Sequence, residues 1–281
     1  MASSAFVNSR RLKPAAQVVV KLMKRGGPAW TSEALASPHS VADKSGRVRR
    51  MFNGIAPRYA LINSLFSFGC DARWRRQAVD LASPRTDDRV VDIACGTGDF
   101  ARAFTRVGSR AVVGCDFAHE MLKLAAGHDS RDSAGRSAQS QARDPVWCEA
   151  DALCLPFRSG SFSIASCAFG VRNFQDLDAG LVEMYRVLRP GGRAVILEFT
   201  RPKNPLARGS YTLYSEYLMP VAATLIAGDR TGAYRYLPRS VVSFLDAEQM
   251  CARLRQAGFV EVTATPLTMG IVTVYVAERG E

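Results

Sequence analysis

Apolar and polar positions along residues 89–199 follow two periods in turn, which predicts strands that alternate with helices. Segments 99–107, 118–126 and 178–188 have helical spacing. Five apolar runs have strand character, at 89–94, 111–115, 145–148, 162–169 and 193–199. Strands that alternate with helices predict a parallel sheet.

The last forty residues predict a different arrangement. Asp246 is placed to cap a helix that runs to Ala257, with Gly258 as its terminator. Two β-rich runs, 259–265 and 271–277, follow it and are expected to pair as a hairpin. The fold class is therefore α/β: a mostly parallel, Rossmann-like sheet of seven strands with a closing antiparallel strand.

Two irregular helical segments, about 47–81 and 205–237, flank this pattern and predict a helical lid. The polar, small residues of 127–144 predict an insertion or surface loop. The first 45 residues are rich in Ser, Ala, Pro and basic residues without periodicity, so we expect a disordered basic tail at 1–45. Residues 46–281 then form a single domain.

The formal net charge is +11, but its distribution argues against a nucleic-acid substrate. Residues 1–32 contain no acid and six basic residues, which is more than half of the excess: Arg10, Arg11, Lys13, Lys21, Lys24 and Arg25. Two readings of this tail stay open: a mitochondrial or plastid transit peptide, or an ordinary bacterial extension.

Seven cysteines occur without a Cys-x-x-Cys pair, and the three histidines show no ligand spacing. A disulfide framework or a metal site is therefore not expected, and a reducing compartment is. Glu216 and Pro220 interrupt the longest apolar stretch, so we expect a soluble protein without a membrane-spanning helix.

The clearest chemical signature is the loop 92–99, which follows the first strand and opens a helix. Gly96 and Gly98 permit a tight turn that approaches a ligand. A dinucleotide would place its pyrophosphate at this helix N-terminus, where Asp99 stands, with Asp92 just before the turn. These carboxylates favour instead the ammonium and sulfonium of S-adenosylmethionine, and disfavour a nicotinamide oxidoreductase.

Three further residues extend this cofactor site. Asp116 ends the second strand, where an acid accepts hydrogen bonds from both ribose hydroxyls. Asp151 and Ala152 follow the third strand and are placed to contact the adenine edge.

A second group of motifs resembles the ubiquinone/menaquinone biosynthesis C-methyltransferases over about residues 47–278. It comprises Phe-x-x-Ile-Ala-x-x-Tyr at 52–59, Gly-Val-Arg-Asn-Phe at 170–174, Tyr-Arg-Val-Leu-Arg-Pro-Gly-Gly at 185–192, Gly-Asp-Arg at 228–230 and Tyr-Arg-Tyr-Leu-Pro at 234–238. The resemblance implies cofactor contacts at Thr97, Asp116, Asp151 and Ala152. Where family members often have Ser, Gly and Asp, this chain has Ala168, Cys95 and Ala60.

The resemblance also implies that a methyl group moves from the sulfonium to a ring carbon of a prenylated quinol, for menaquinone or for ubiquinone synthesis. Arg172 is then expected to stabilise the quinol oxyanion and Asn173 to orient the ring. Tyr59 or a water is the candidate proton acceptor. Another small-molecule acceptor, an RNA methyltransferase, and a non-catalytic subunit of a quinone-synthesis complex are the alternatives.

An apolar face of the second lid segment is expected to line a prenyl channel, to touch a membrane surface or to pack in the core. It contains Leu213, Tyr214, Tyr217, Leu218, Val221, Leu225 and Ile226. A bacterial cytoplasmic enzyme, peripheral at the inner membrane and dimeric or part of a quinone-synthesis complex, is the corresponding expectation.

Overall fold

A computed structural model describes residues 30–31, 33–56, 67, 69–133, 144–202, 209 and 233–281. Its strands are β1 Arg89–Ile93, β2 Ala111–Asp116, β3 Val146–Glu149, β4 Phe162–Ala168, β5 Leu188–Phe199, β6 Phe259–Leu267 and β7 Val272–Arg279. Its helices, numbered in the order described, are α1 Lys44–Ile55, α2 Asp71–Ala82, α3 Asp99–Arg106, α4 His119–Ser133, α5 Leu177–Val187, α6 Ala233–Val242 and α7 Ala247–Gln256. A 3-10 turn, Val171–Asn173, lies between β4 and α5.

The seven strands form one sheet in the order β3-β2-β1-β4-β5-β7-β6. Neighbours from β3 to β5 are parallel, whereas β7 pairs antiparallel with both β5 and β6. The predicted fold class, with its closing hairpin, is confirmed. The predicted cap of α7 is also present, because Asp246 and Gln249 form a reciprocal capping box.

Helices cover both faces of the sheet, which is why the central strands are apolar on both sides. On one face α5 and α7 pack through Leu181, Met184 and Leu254. On the other, α2 and α3 pack through Trp74 and Phe104. None of the described helices is long and apolar enough to cross a membrane.

Two predicted boundaries differ from the structure. Helix α4 continues to Ser133, into the segment 127–144 expected to be a loop, and Asp129 on it accepts hydrogen bonds from Arg102 and Trp147. Strand β5 starts at Leu188 rather than at 193, because Leu188 pairs with Phe162 before the register shifts. Local sequence does not encode either of these tertiary contacts.

The folded part also begins earlier than residue 46. Trp30 is fully buried and stacks on Tyr236 with ring centroids 4.0 Å apart, and Leu35 is buried in the same cluster. The boundary predicted at residue 45 is therefore too late. The polar and basic residues around Trp30 gave no sign in the sequence that its ring is buried. Most of the second lid segment, and its apolar face, lie outside the described residues.

Candidate active site

A cleft of about 650 Å³ opens at the carboxyl ends of β1, β2 and β4. The chain runs from β1 outward to β2 and β3 and then returns to β4 on the other side of β1, and such a switch point is where open α/β sheets bind ligands. The lining includes Ser45, Phe52, Ala94, Gly96, Asp116, Phe117, Met121, Asp151, Ala152, Ala168, Gly170, Asn173, Phe174 and Gln175.

The glycine loop forms one wall of this cleft. Gly96 has φ +55°, lines the cleft, and donates its backbone N–H to Asp116 Oδ2 at 2.8 Å. Gly98 has φ +82° at the start of α3, and a Cβ there would collide with the ring of Trp147. Packing against Trp147 therefore explains Gly98, whose predicted contact with a ligand stays a prediction.

Asp116 lies at the cleft floor and is buried. Its Oδ2 accepts from Gly96 and its Oδ1 accepts from the N–H of Ala118 at 2.8 Å. Burial raises the pKa of this carboxyl to about 6, although these backbone hydrogen bonds oppose the shift. The loop and the acid thus fix each other in position.

Asp92 is the most enclosed acid of the site, with no exposed surface. Its Oδ1 accepts a hydrogen bond from Ser166 Oγ at 2.8 Å, whereas Oδ2 has no partner among the described residues. Burial raises the pKa of Asp92 to about 7, against the opposing effects of the Ser166 hydrogen bond, the charge of Arg75 and the backbone N–H of Ala101. Buried carboxylate oxygens normally accept a hydrogen bond, so Oδ2 of Asp92 is a candidate acceptor for a donor on a ligand.

A smaller polar chamber of about 270 Å³ adjoins the cleft, since Ala94 and Ala168 line both. Asp92, Thr97 and Asp99 line it, and so does Arg75 from α2. Arg75 is buried and its Nη1 lies 2.5 Å from Asp71 Oδ2. The sequence pattern presented Arg75 only as part of a basic cluster, because its place in the same chamber as Asp92 depends on tertiary packing.

Asp99 is less available to contact a ligand than the sequence suggested, because its carboxylate already has partners in the protein. Its carboxylate accepts from Thr97 Oγ1 at 2.8 Å and pairs with the buried Arg102 at 3.0 Å. Burial alone would raise the pKa of Asp99, but the Arg75 charge, the Thr97 hydrogen bond and Arg102 together hold it below its ordinary value. Asp99 is thus ionised and already paired.

Asp151 and Ala152 lie at the rim of the cleft, as their positions after β3 predicted. Asp151 is exposed and its Oδ1 accepts the N–H of Leu153 at 2.9 Å. The rim is therefore held by a local turn at Asp151.

The loop 170–175 forms the opposite wall. Arg172 is buried, and its Nη1 donates to Glu198 Oε1 at 2.8 Å and to the carbonyl of Phe169 at 2.6 Å. Asn173 lines the cleft; its Nδ2 donates to the carbonyl of Phe169 and its Oδ1 accepts from Tyr236 Oη at 2.9 Å. Arg172 is absent from the described lining, so its expected contact with a substrate oxygen stays a prediction. Tyr59 lies outside the described residues.

One residue near this wall was missed by the sequence reasoning. Lys44, the first residue of α1, is buried and donates its Nζ proton to the carbonyl of Phe174 at 2.5 Å. Its sequence position, beside an exposed Asp and ahead of an arginine cluster, is that of an ordinary surface lysine. Only the fold shows that it is enclosed.

Comparison with known families and curated proteins gives consistent matches. The model of the ubiE/COQ5 methyltransferase family matches residues 40–279. A demethylmenaquinone methyltransferase of Thermus thermophilus is 44% identical over 230 residues, 82% of this chain and all of that protein. A ubiquinone/menaquinone biosynthesis C-methyltransferase, UbiE, of Geobacter sulfurreducens is 41% identical over 247 residues, 86% of this chain and 92% of that protein.

Solved structures resemble the chain at lower identity and support the fold. A SAM-dependent methyltransferase of Thermotoga maritima superposes with a TM-score of 0.57 at 18% identity, over 82% of this chain and 99% of that one. The [4+2]-cyclase SpnF gives a TM-score of 0.59 at 16% identity, over 85% and 97%. Since proteins of different chemistry share this architecture, the likeness concerns the fold alone.

Proposed function

The chain belongs to the ubiE/COQ5 methyltransferase family, and we propose that it transfers a methyl group from S-adenosylmethionine to a ring carbon of a prenylated quinol. Demethylmenaquinol and a methoxy-polyprenyl-benzoquinol are the two candidate acceptors, since the relatives carry names of both kinds. The observation that carries the cofactor half of the proposal is the pair of buried carboxylates, Asp116 in the cleft and Asp92 in the adjoining chamber.

The residues present fit this cofactor. The unpartnered Oδ2 of Asp92 suits its ammonium, and Asp116 at the floor suits its ribose hydroxyls. Arg75 is the buried cation of the same chamber and suits the cofactor's carboxylate. Asp151 and Ala152 at the rim suit the adenine. The cofactor supplies an activated methyl group on a sulfonium.

On the acceptor side, the chain's task is to align a ring carbon and to favour the ionised quinol, whose ring carbon is the stronger nucleophile. Phe174 and Phe117 offer aromatic surface to the cleft, and Asn173 also lines it. Because the Arg172 guanidinium already bonds Glu198 and the Phe169 carbonyl, we propose that Arg172 positions this loop. Tyr59 or a water remains our proposed proton acceptor.

The test offers both reduced quinols, each with a short prenyl chain, to the purified protein with methyl-labelled S-adenosylmethionine. We expect a C-methylated product from at least one quinol. Asp116→Asn should lower cofactor affinity by about 100-fold, because two hydrogen bonds to a charged acceptor are weakened. Asp80→Asn, on the exposed face of α2 and outside the described lining of the cleft, is the matched control and should leave the affinity unchanged.

Two results would contradict the proposal. One is binding of NAD, measured by isothermal titration, without binding of S-adenosylmethionine. The other is an unchanged methylation rate in the Asp116→Asn variant. Binding of the cofactor without turnover of either quinol would point to another small-molecule acceptor or to a non-catalytic subunit.

A further inference from the structure

We propose that Lys44 is a positioning residue for the acceptor: its ammonium holds the wall 173–175 of the cleft and places an uncompensated positive charge behind it, which favours an anionic ligand on that wall. This inference rests on the proposed function for the identity of the acceptor. It concerns a residue to which that function assigns no role.

The first observation is geometric. Lys44 Nζ donates to the carbonyl of Phe174, and the side chains on either side of this contact line the cleft. The next residue, Ser45, donates its N–H to Gln175 Oε1 at 2.9 Å, and Gln175 Nε2 returns a hydrogen bond to the carbonyl of Val41. Helix α1 is thus fastened to the acceptor wall through its first turn.

The second observation is that the surroundings of Lys44 disfavour its charged form. Lys44 is buried at the N-terminus of α1, where the helix dipole disfavours a positive charge, and the first turn of α1 contains no acid. No carboxylate of the described residues forms an ion pair with it, and Asp43 pairs instead with Arg50 at the surface. Burial and the nearby Arg172 charge lower the pKa of Lys44 to about 8.

The third observation is that neighbouring groups leave this charge uncompensated. His39 lies 3.4 Å from Nζ, and its own pKa is lowered by burial and by Lys44, so it adds no negative charge. Arg172 faces Lys44 from the 3-10 turn, but Glu198 of β5 pairs with it. Tyr236 of α6 is held as a neutral donor to Asn173 because burial raises its pKa. The net charge behind the wall is that of Lys44.

The consequence for a bound quinol follows from electrostatics. A nearby positive charge lowers the pKa of an acid, and it does so more strongly where protein replaces water. Lys44 touches the backbone of the wall rather than the cleft, so it acts through Phe174 and through its field. A quinol that gives up its hydroxyl proton in the cleft would therefore be favoured while Lys44 is charged.

The test compares two ligands of similar shape in the presence of S-adenosylhomocysteine. One is 2-hydroxy-1,4-naphthoquinone, which is an anion at neutral pH; the other is its neutral 2-methoxy analogue. We expect Lys44→Met to weaken binding of the anion by about tenfold, the equivalent of one pKa unit, and to leave the neutral ligand within about twofold. Lys44→Arg keeps the charge and should bind the anion almost as the native protein does.

Lys123→Met is the matched control, because Lys123 is exposed on α4 and pairs with Glu120. Equal weakening of both ligands by Lys44→Met, or no change for either, would overturn the inference. Should Lys44→Met fail to fold, the native protein supplies the measurement: affinity for the anion should fall as the pH rises through about 8, and a flat profile would reject the field of Lys44. Neither binding measurement depends on whether a quinol is methylated.

Discussion

The two walls of the cleft are built on opposite charges. The cofactor wall, formed by Asp116 in the cleft and by Asp92 and Asp99 in the adjoining chamber, presents carboxylates, and the Oδ2 of Asp92 has no partner among the described residues. The acceptor wall, backed by Lys44 and Arg172, has cations behind it that bond to backbone carbonyls.

The difference matches the charges proposed for the two ligands. A cationic methyl donor would lie against the carboxylates, and an acceptor that becomes an oxyanion would lie against the wall that has the charge of Lys44 behind it. The cofactor wall retains one buried acceptor atom without a partner among the described residues, the Oδ2 of Asp92. The acceptor wall is closed, because its cations hold the loop 170–175 and act from behind it.

The largest expected effect tests whether the Arg172 guanidinium is committed to Glu198 and so holds the acceptor wall in place. Arg172→Met should lower the free energy of unfolding by about 3–5 kcal/mol, because Glu198 would keep a buried charge without a partner. Urea unfolding measures it. The control Arg253→Met removes an exposed pair with Asp178 and should cost at most about 1 kcal/mol.

The double variant Arg172→Met/Glu198→Gln separates charge from packing. It should regain part of the lost stability, since no uncompensated charge remains. If Arg172→Met costs no more than Arg253→Met, the guanidinium is not committed to Glu198. Arg172 would then be free to reach a substrate oxygen, and the two walls would be more alike than we argue.

Sequence periodicity predicted the cofactor wall far better than the acceptor wall. Asp92 and Asp116 lie at the carboxyl ends of β1 and β2, and Gly96 follows β1. Because the ends of neighbouring parallel strands meet at one edge, spacing alone placed these residues together. The acceptor loop 170–174 was recognised through resemblance, and its position after β4 agreed with that. Local signals were enough wherever one strand and its turn determine the position.

Local sequence signals were insufficient where segments that are distant in the sequence come into contact. Lys44 contacts Phe174 across 130 residues, and Trp30 stacks on Tyr236 although it lies in a basic, polar stretch. Arg75 lines the chamber of Asp92 from a helix whose arginines look alike in the sequence. In each case burial, rather than residue type, distinguishes the residue from its neighbours in the sequence, and burial is decided by packing between elements.

The second prediction concerns Arg75, a positively charged residue among the carboxylates of the cofactor wall. Arg75→Gln should weaken binding of S-adenosylhomocysteine by about 10- to 100-fold, because a charged hydrogen bond to its carboxylate is lost. Binding of 5′-(3-aminopropyl)thioadenosine, which lacks the carboxylate, should change little. Calorimetric titration of both ligands gives the comparison.

Arg76→Gln is the control, since Arg76 is the next residue on α2 and is exposed. A similar loss for both ligands in Arg75→Gln would mean that Arg75 shapes the chamber through Asp71 without contacting the carboxylate. The cofactor wall would then be purely acidic.

The smallest expected effect is the pH dependence of the cofactor wall. The pKa of Asp92 is about 7 in the free protein, so its carboxyl is largely protonated at pH 6 and ionised at pH 8. A cationic ligand binds the ionised form, and affinity for S-adenosylmethionine should rise about tenfold across this interval. Asp92→Asn should remove that rise. Asp116, whose pKa is about 6, should leave a residual slope at lower pH.

The same shift has the opposite sign for stability without ligand. Because folding raises the pKa of Asp92 above its ordinary value of 3.8, the folded state holds its proton more tightly. That contribution to stability is complete below pH 4 and is lost as the pH rises through about 7. The free protein should therefore lose stability over the range in which it gains cofactor affinity, and Asp92→Asn should reduce both trends together. If affinity in the native protein is flat from pH 6 to 8, Asp92 does not face the ammonium, and its unpartnered oxygen must have another ligand.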